Sequence, residues 1–239
     1  MIGQILDGKP MMIDDLEMMK IRVETGCIHD QNGRLRCGSS NNKRPVPRFF
    51  LGRTKAGNIC RFRYDLPDEI VNQLDELFNL EPIATDLKDP PVYLERYEEI
   101  LQTHESIHRV KRGLVYQFPD DIQSPIPLVN ITSENVGLLK EMMPDLDIDL
   151  PCLVVVKDGR AVSACQSVGI SSQTHEAGVD TLEAYRGRGY ATATVAGWAM
   201  VVRELGCNPH YSTAWDNVAS QGVARKLGLA LYGADFSIT

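Results

Sequence analysis

The 239-residue chain has no apolar run long enough to cross a bilayer. Its longest, Ala191 to Val202, is shorter than the ~20 residues a spanning helix needs and is interrupted by threonines. No membrane partner is expected. An acid at Asp7 comes too early for a secretory signal, so the expected location is cytoplasmic. Basic excess is also missing. With 25 Lys and Arg against 32 Asp and Glu, the net charge of −7 argues against sequence-independent nucleic-acid binding, which needs a basic field. The six cysteines form no Cys-x-x-Cys pair and no Cys/His set has zinc spacing, so reduced thiols and no metal site are expected. A Gly-Lys-Ser/Thr phosphate loop is absent as well.

What the chain does have is one segment that changes character twice within thirteen residues. Around Val179, apolar and polar residues alternate as in a strand. Arg186-Gly187-Arg188-Gly189 follows as a basic glycine turn. Tyr190-Ala191 then opens a helical pattern carrying Val195, Trp198, Ala199 and Val202. Strand, glycine turn and helix start together suit an anionic group, because the first helical N–H groups lack intrahelical partners and sit at the positive dipole end. A dinucleotide turn would need glycine at position 192, which is Thr192.

Taken in order, the chain predicts a short helix over 10–20, then a polar loop through Gly38-Ser39-Ser40-Asn41-Asn42. A basic hairpin follows over 43–65, its charges read as a solvated strand face rather than a binding patch. Pro67-Asp68-Glu69 opens a helix, a second runs over 93–104, and 109–118 reads as a strand. The Pro-containing stretch 120–127 marks a boundary. Beyond it the order is β, α, β, β, β, α, β, α, β, with Asp158-Gly159 as a hairpin turn. Two units are therefore expected: an α/β unit over 1–119 and an α+β unit over 120–239.

The segment 186–191 resembles motif A of the GNAT superfamily of acyl-CoA N-acyltransferases, written Arg/Gln-x-x-Gly-x-Gly/Ala. Asn217 through Leu229, which contains Lys226-Leu227-Gly228, resembles motif B of the same superfamily. The two motifs are separated by one long helix and one strand, as in that family. The resemblance covers about 128–239. It implies a mixed, mostly antiparallel sheet flanked by helices, with an additional N-terminal α/β domain over 1–119 that is itself either unrelated or a divergent GNAT-like half.

The resemblance also implies acetyl transfer from acetyl-CoA, as cosubstrate, to a primary amine of a small molecule or an amino terminus. Backbone groups of Arg186, Gly187, Arg188, Gly189, Tyr190 and Ala191 would hold the pyrophosphate. Val179 and Thr181 would lie along the acetyl and pantetheine arm, with Asn217 and Ser220 hydrogen-bonding pantetheine. Glu176 is the base that would relieve the amine of its proton; a salt-bridged strand carboxylate is the alternative role for it. The family's Tyr after motif B is replaced by Ala224, so Tyr232, Tyr211 and Ser220 are the residues considered as proton donors. The missing Tyr also leaves open a non-catalytic acyl-CoA-binding module. A homodimer is left open.

Overall fold

The computed structural model describes residues 14–38, 46–139, 142 and 149–239. Expectations for residues 1–13 and for 39–45, which include most of the loop expected over Gly38-Ser39-Ser40-Asn41-Asn42, fall outside them.

Five helices and eleven strands are described. Helix α1 (Asp15–Gly26) is capped by the Asp14 carboxylate, which accepts from Glu17 N at 2.7 Å. Strands β1 (Cys27–His29) and β2 (Leu35–Gly38) form a small antiparallel pair. Next come β3 (Phe49–Thr54), β4 (Asn58–Phe62), α2 (Asp68–Phe78), α3 (Leu94–His104) and β5 (Val110–Gln117). Then follow β6 (Val129–Asn130), β7 (Cys152–Lys157), β8 (Arg160–Ile170), β9 (Thr174–Thr181), α4 (Tyr190–Glu204), β10 (Asn208–Ala214), α5 (Val218–Lys226) and β11 (Ala230–Ile238). The turn between β7 and β8 is the predicted Asp-Gly turn, with φ of 51° at Asp158 and 76° at Gly159. The helix expected after β6 is a single 3-10 turn, Val136–Leu139, and residues 143–148 lie outside the described set.

The fold is α+β, with one nine-stranded sheet in the order β4-β3-β11-β5-β10-β9-β8-β7-β6. Every pairing is antiparallel except β10 with β9. The sheet runs straight across the division expected near residue 120. Strand β5 precedes that point yet lies between β11 and β10, which follow it. The Pro-containing stretch 120–127 is thus a crossing between distant strands of one sheet, not a break between two sheets. The core agrees: Leu74 and Tyr97 from α2 and α3 pack in the same cluster as Trp198 from α4.

The two faces of the sheet are covered unequally. Helices α2, α3, α4 and α5 bury one face with Leu74, Leu101, Trp198 and Ala224. On the other, α1 buries Met18, Met19 and Val23 against Val115 and Tyr232. The arginines of the basic hairpin are mostly structural. Buried Arg48 donates to three carbonyls at the end of α3, those of Leu101, Glu105 and Ser106, at 2.8–3.1 Å. Buried Arg53 donates to the Asp89 carbonyl at 2.6 Å. These two are not the solvated residues the charge run suggests; each replaces water with main-chain oxygens.

Candidate active site

Strands β9 and β10 run parallel but pair only from Thr174 to Glu176 against Asn208 to His210. Beyond Glu176 they part, and the β10-facing edge of β9 from Ala177 to Thr181 has no strand partner among the described residues. A cavity of about 990 Å³ opens at this fork. Its lining includes Ala177 and Val179 of β9, and residues of both faces of β10, namely Tyr211, Thr213, Ser212 and Ala214. A side chain alternates faces along a strand. The cavity therefore reaches from the α4/α5 face of the sheet to the α1 face.

On the α4/α5 face the lining includes hydroxyl and amide groups, with Arg112 and Asp216 beside them. Asn217 caps α5, its side-chain oxygen accepting from Ser220 N at 3.0 Å. The Tyr211 hydroxyl and Ser220 Oγ are 2.7 Å apart, and both residues line the cavity. Burial pushes the Tyr211 hydroxyl up to about 12, so it keeps its proton and serves as a hydrogen-bond donor. Ala224 is fully buried in the core and offers no hydroxyl.

Thr181 and the turn 186–191 lie past the lining, at the far end of β9. The Thr181 hydroxyl bonds Ser163 Oγ at 2.8 Å. Arg186 Nε donates back to the Thr181 carbonyl at 3.2 Å, and Arg188 donates to the Ala184 carbonyl at 3.2 Å. Gly187 and Gly189 have φ of 76° and 81°, the left-handed region that favours glycine, and an added Cβ at either would meet nothing within 4 Å. Gly189 is the N-terminal flank of α4 and no side chain caps the helix. The first intrahelical bond is Ala193 N to the Gly189 carbonyl, so the N–H groups of Tyr190, Ala191 and Thr192 have no intrahelical acceptor. These donors stand at the positive end of the α4 dipole.

The α1 face carries charge. Arg22 of α1 donates from Nε and Nη2 to Asp235 Oδ2 at 3.0 and 2.5 Å, and from Nη1 to Glu176 Oε1 at 3.0 Å. The Ser212 hydroxyl donates to the same Glu176 oxygen. The side chains of Arg22, Glu176 and Asp235 keep only 14, 20 and 11% of their exposure, and all three residues line the cavity. Burial works to raise the Glu176 carboxyl. Arg22, the Ser212 hydrogen bond and nearby His210 outweigh it and hold the group below the usual carboxylate range. His210 is 1% exposed and pushed down to about 4, mainly by burial and then by Arg22. Both its ring nitrogens lack a hydrogen-bond partner among the described residues, as does the Tyr232 hydroxyl.

The predicted residues thus divide. Glu176, Val179, Asn217 and Ser220 meet at one cavity, with Tyr211 beside them. Tyr232 does not line it. It packs under α1, 3% exposed, with burial holding its hydroxyl well above the ordinary tyrosine range. Sequence reasoning missed Arg22, Asp235 and Ser212. A signal existed for two of them: Arg22 interrupts the buried stripe of α1, and Asp235 is a lone acid in an apolar strand.

Residues 152–234 match the family model described as GNAT acetyltransferase. Among solved structures, the chain is similar to a Novosphingobium aromaticivorans protein assigned to the GNAT family, at 17% identity and a TM-score of 0.47, covering 55% of this chain and 65% of that one. The chain thus spans just under two thirds of that protein's length. It is also similar to a GCN5-related N-acetyltransferase-like protein from Streptococcus suis, at 18% identity and a TM-score of 0.47, covering 81% and 85%. A third is an aminoglycoside N-acetyltransferase in complex with CoA, at 20% identity and a TM-score of 0.35, covering 44% and 92%. No curated protein sequence matches the chain.

Proposed function

We propose that the protein is an N-acetyltransferase that moves an acetyl group from acetyl-CoA to a primary amine, on a small molecule or an amino terminus. The observation that carries this reading is the fork between β9 and β10, whose cavity joins the Arg22–Glu176–Asp235 cluster to the hydroxyl and amide groups of Tyr211, Asn217 and Ser220. The family match over 152–234 covers both strands and the helix between them.

In this reading the N–H groups of Tyr190 to Thr192 and the glycine turn hold the pyrophosphate. The pantetheine arm lies along the unpaired edge of β9, past Val179 and Thr181, with Asn217 and Ser220 opposite. That places the thioester at the fork. The amine approaches from the α1 side, where Glu176 is ionised, and gives up a proton directly or through water. Nitrogen then attacks the thioester carbonyl, the C–S bond breaks, and the thiolate leaves. A thiol near pKa 8.5 needs hydrogen-bond stabilisation more than full protonation. Ser220 and Tyr211 are hydroxyls positioned to give it. Residues 14–117 supply α1 and β5, and so complete the acceptor side.

Free-thiol release from acetyl-CoA tests the reading, measured with a panel of amino acids, polyamines, aminoglycosides and amino-terminal peptides. Release with at least one amine is expected. The buried methyl of Ala224 favours one other reading, a non-catalytic acyl-CoA-binding module. CoA-dependent thermal stabilisation with no release against any amine would select it.

A further inference from the structure

Helix α1 precedes the GNAT-matching region by well over a hundred residues, yet its Arg22 reaches the fork. A buried arginine on a helix face needs a reason, because an unpaired guanidinium under a sheet is costly. Here the pairing is asymmetric. Two of its donors clamp one oxygen of Asp235, which fixes the guanidinium plane. The third donor then reaches Glu176, to the same oxygen that Ser212 holds from β10. Room for this arrangement is built into the sheet. A Cβ at Gly113 of β5 would collide with the Asp235 carboxylate.

We propose that Arg22 is a positioning residue, which holds the Glu176 carboxylate ionised and in one orientation at the point where β9 and β10 separate. Helix α1 is then part of the acceptor site, not only a cover for the sheet. Around Arg22 the carboxylates outnumber the guanidinium two to one, while Arg109, Lys111 and Arg112 of the neighbouring β5 segment also line the cavity. The charged and titratable groups facing Glu176 are Arg22 from α1, His210 from β10, and Asp235 and Tyr232 from β11. Beside it on β8 lies Gly169, which brings no charge. Arg22 is the one permanent cation among them, so its removal leaves burial, Asp235 and Tyr232 to oppose ionisation.

The role in catalysis rests on the acetyltransferase reading; the effect of Arg22 on Glu176 does not. The test therefore has two readouts on the full chain. The first is a carbon-13 titration of glutamate-labelled protein, with Glu176→Gln assigning the resonance. The second is the acid limb of the pH profile of thiol release from acetyl-CoA. In Arg22→Met the Glu176 midpoint is expected to rise by about 1–3 pH units, the range over which a neighbouring guanidinium shifts a carboxylate. The acid limb should move with it, while the KM for acetyl-CoA stays put. Arg22→Lys should move both back toward wild type, which a purely structural helix contact would not do. If Arg22→Met does not fold, Ser212→Ala removes the other bond to the same oxygen and should give a smaller rise. An unchanged Glu176 midpoint in Arg22→Met or, failing that, in Ser212→Ala overturns the proposal. Absence of thiol release by wild type with every amine would instead count against the acetyltransferase reading, and the carbon-13 titration would still decide whether Arg22 sets Glu176.

Discussion

The two compartments that meet at the fork are built in opposite ways. On the α4/α5 face the useful groups are main-chain donors and hydroxyls, presented by a turn and two helix starts. These donors carry no formal charge themselves, though Arg186 and Arg188 of the turn and Arg112 and Asp216 of the cavity lie on the same side. On the α1 face the useful groups are three ionised side chains drawn from residues 22, 176 and 235. A neutral donor set suits a ligand that brings its own negative charge, such as a pyrophosphate. A buried ion cluster suits a reaction in which a proton must move. Different ligands are therefore expected to feel substitutions on different faces, and that separation can be broken experimentally.

The largest effect is expected at Gly189. An Asp there adds a carboxylate beside the three N–H groups of α4 that have no intrahelical acceptor, where it would compete with a phosphate. Free CoA at a hundred times its Kd should stabilise wild type by about 2.7 kcal/mol. In Gly189→Asp that increment should vanish, read as the CoA-dependent shift in melting temperature. Stability without CoA should fall modestly, because a side chain at this left-handed position is strained, though Asp tolerates it better than most residues and favours a helix N-terminus. Retained stabilisation would remove the turn from the binding site.

Glu176→Gln attacks the other compartment. Loss of a general base costs about 10²–10⁴ in rate. Turnover should fall by that order while the CoA-dependent thermal shift stays at the wild-type value. A variant that loses both would show that the two faces are not separable; wild-type rates across pH would take Glu176 out of the chemistry.

How much of this is legible in the sequence follows the same division. The α4/α5 compartment comes from contiguous stretches: strand, turn and helix start at 179–191, cap and helix at 217–228. Spacing and turn chemistry carry such signals, so both motifs can be read directly. The hairpin at Asp158-Gly159 and helices α2 and α3 are legible for the same local reasons. The α1 compartment is not, because its partners lie 154 and 213 residues apart along the chain and meet only through sheet order. Helix α1 also runs further than its pattern predicts. Its buried face past Lys20 includes Arg22 and Thr25 among apolar residues, and Thr25 bonds Ile21 O and the Thr174 hydroxyl. Polar residues placed there for the site break the apolar period that would otherwise extend the helix. The expected division near residue 120 fails because composition reports surface loops, and the strand order that makes β5 a central strand leaves no local mark.

His210 gives a pH test of the charged compartment. Its folded pKa of about 4 lies below the ordinary 6.5. Between those values the unfolded chain binds more protons than the folded one, so stability is complete above pH 6.5 and falls as pH drops toward 4. At about 1.4 kcal/mol for each pH unit separating the two values, the loss should reach about 3 kcal/mol. Glu176 acts lower: its depressed group loses its contribution only as pH falls below the ordinary carboxylate value. Urea midpoints at pH 7 and pH 5 should therefore differ for wild type and differ less for His210→Gln, in which His29 and His175, both lowered by burial, remain. An equal drop in both proteins would assign the acid sensitivity to other groups.

The smallest effect is expected from the hydroxyl pair, and it is the one that best sharpens the contrast. Tyr211→Phe removes a hydroxyl whose own pKa, pushed up to about 12, makes it a poor source of a free proton. If the pair only donates hydrogen bonds to a departing thiolate, each is worth about 1.5–3 kcal/mol at most, because the acceptor is charged. Ser220 remains in Tyr211→Phe and can rotate its hydroxyl toward the sulfur, so the single change should cost about tenfold or less in kcat. Ser220→Ala leaves the Tyr211 hydroxyl without its side-chain partner, though the Ser220 carbonyl at 3.3 Å can still accept from it. The double variant should lose more than either alone, but the basic limb of the pH profile should not move, since neither group titrates in that range. A basic limb that disappears in Tyr211→Phe would make Tyr211 a true proton donor. The α4/α5 compartment would then hold half of the acid–base chemistry.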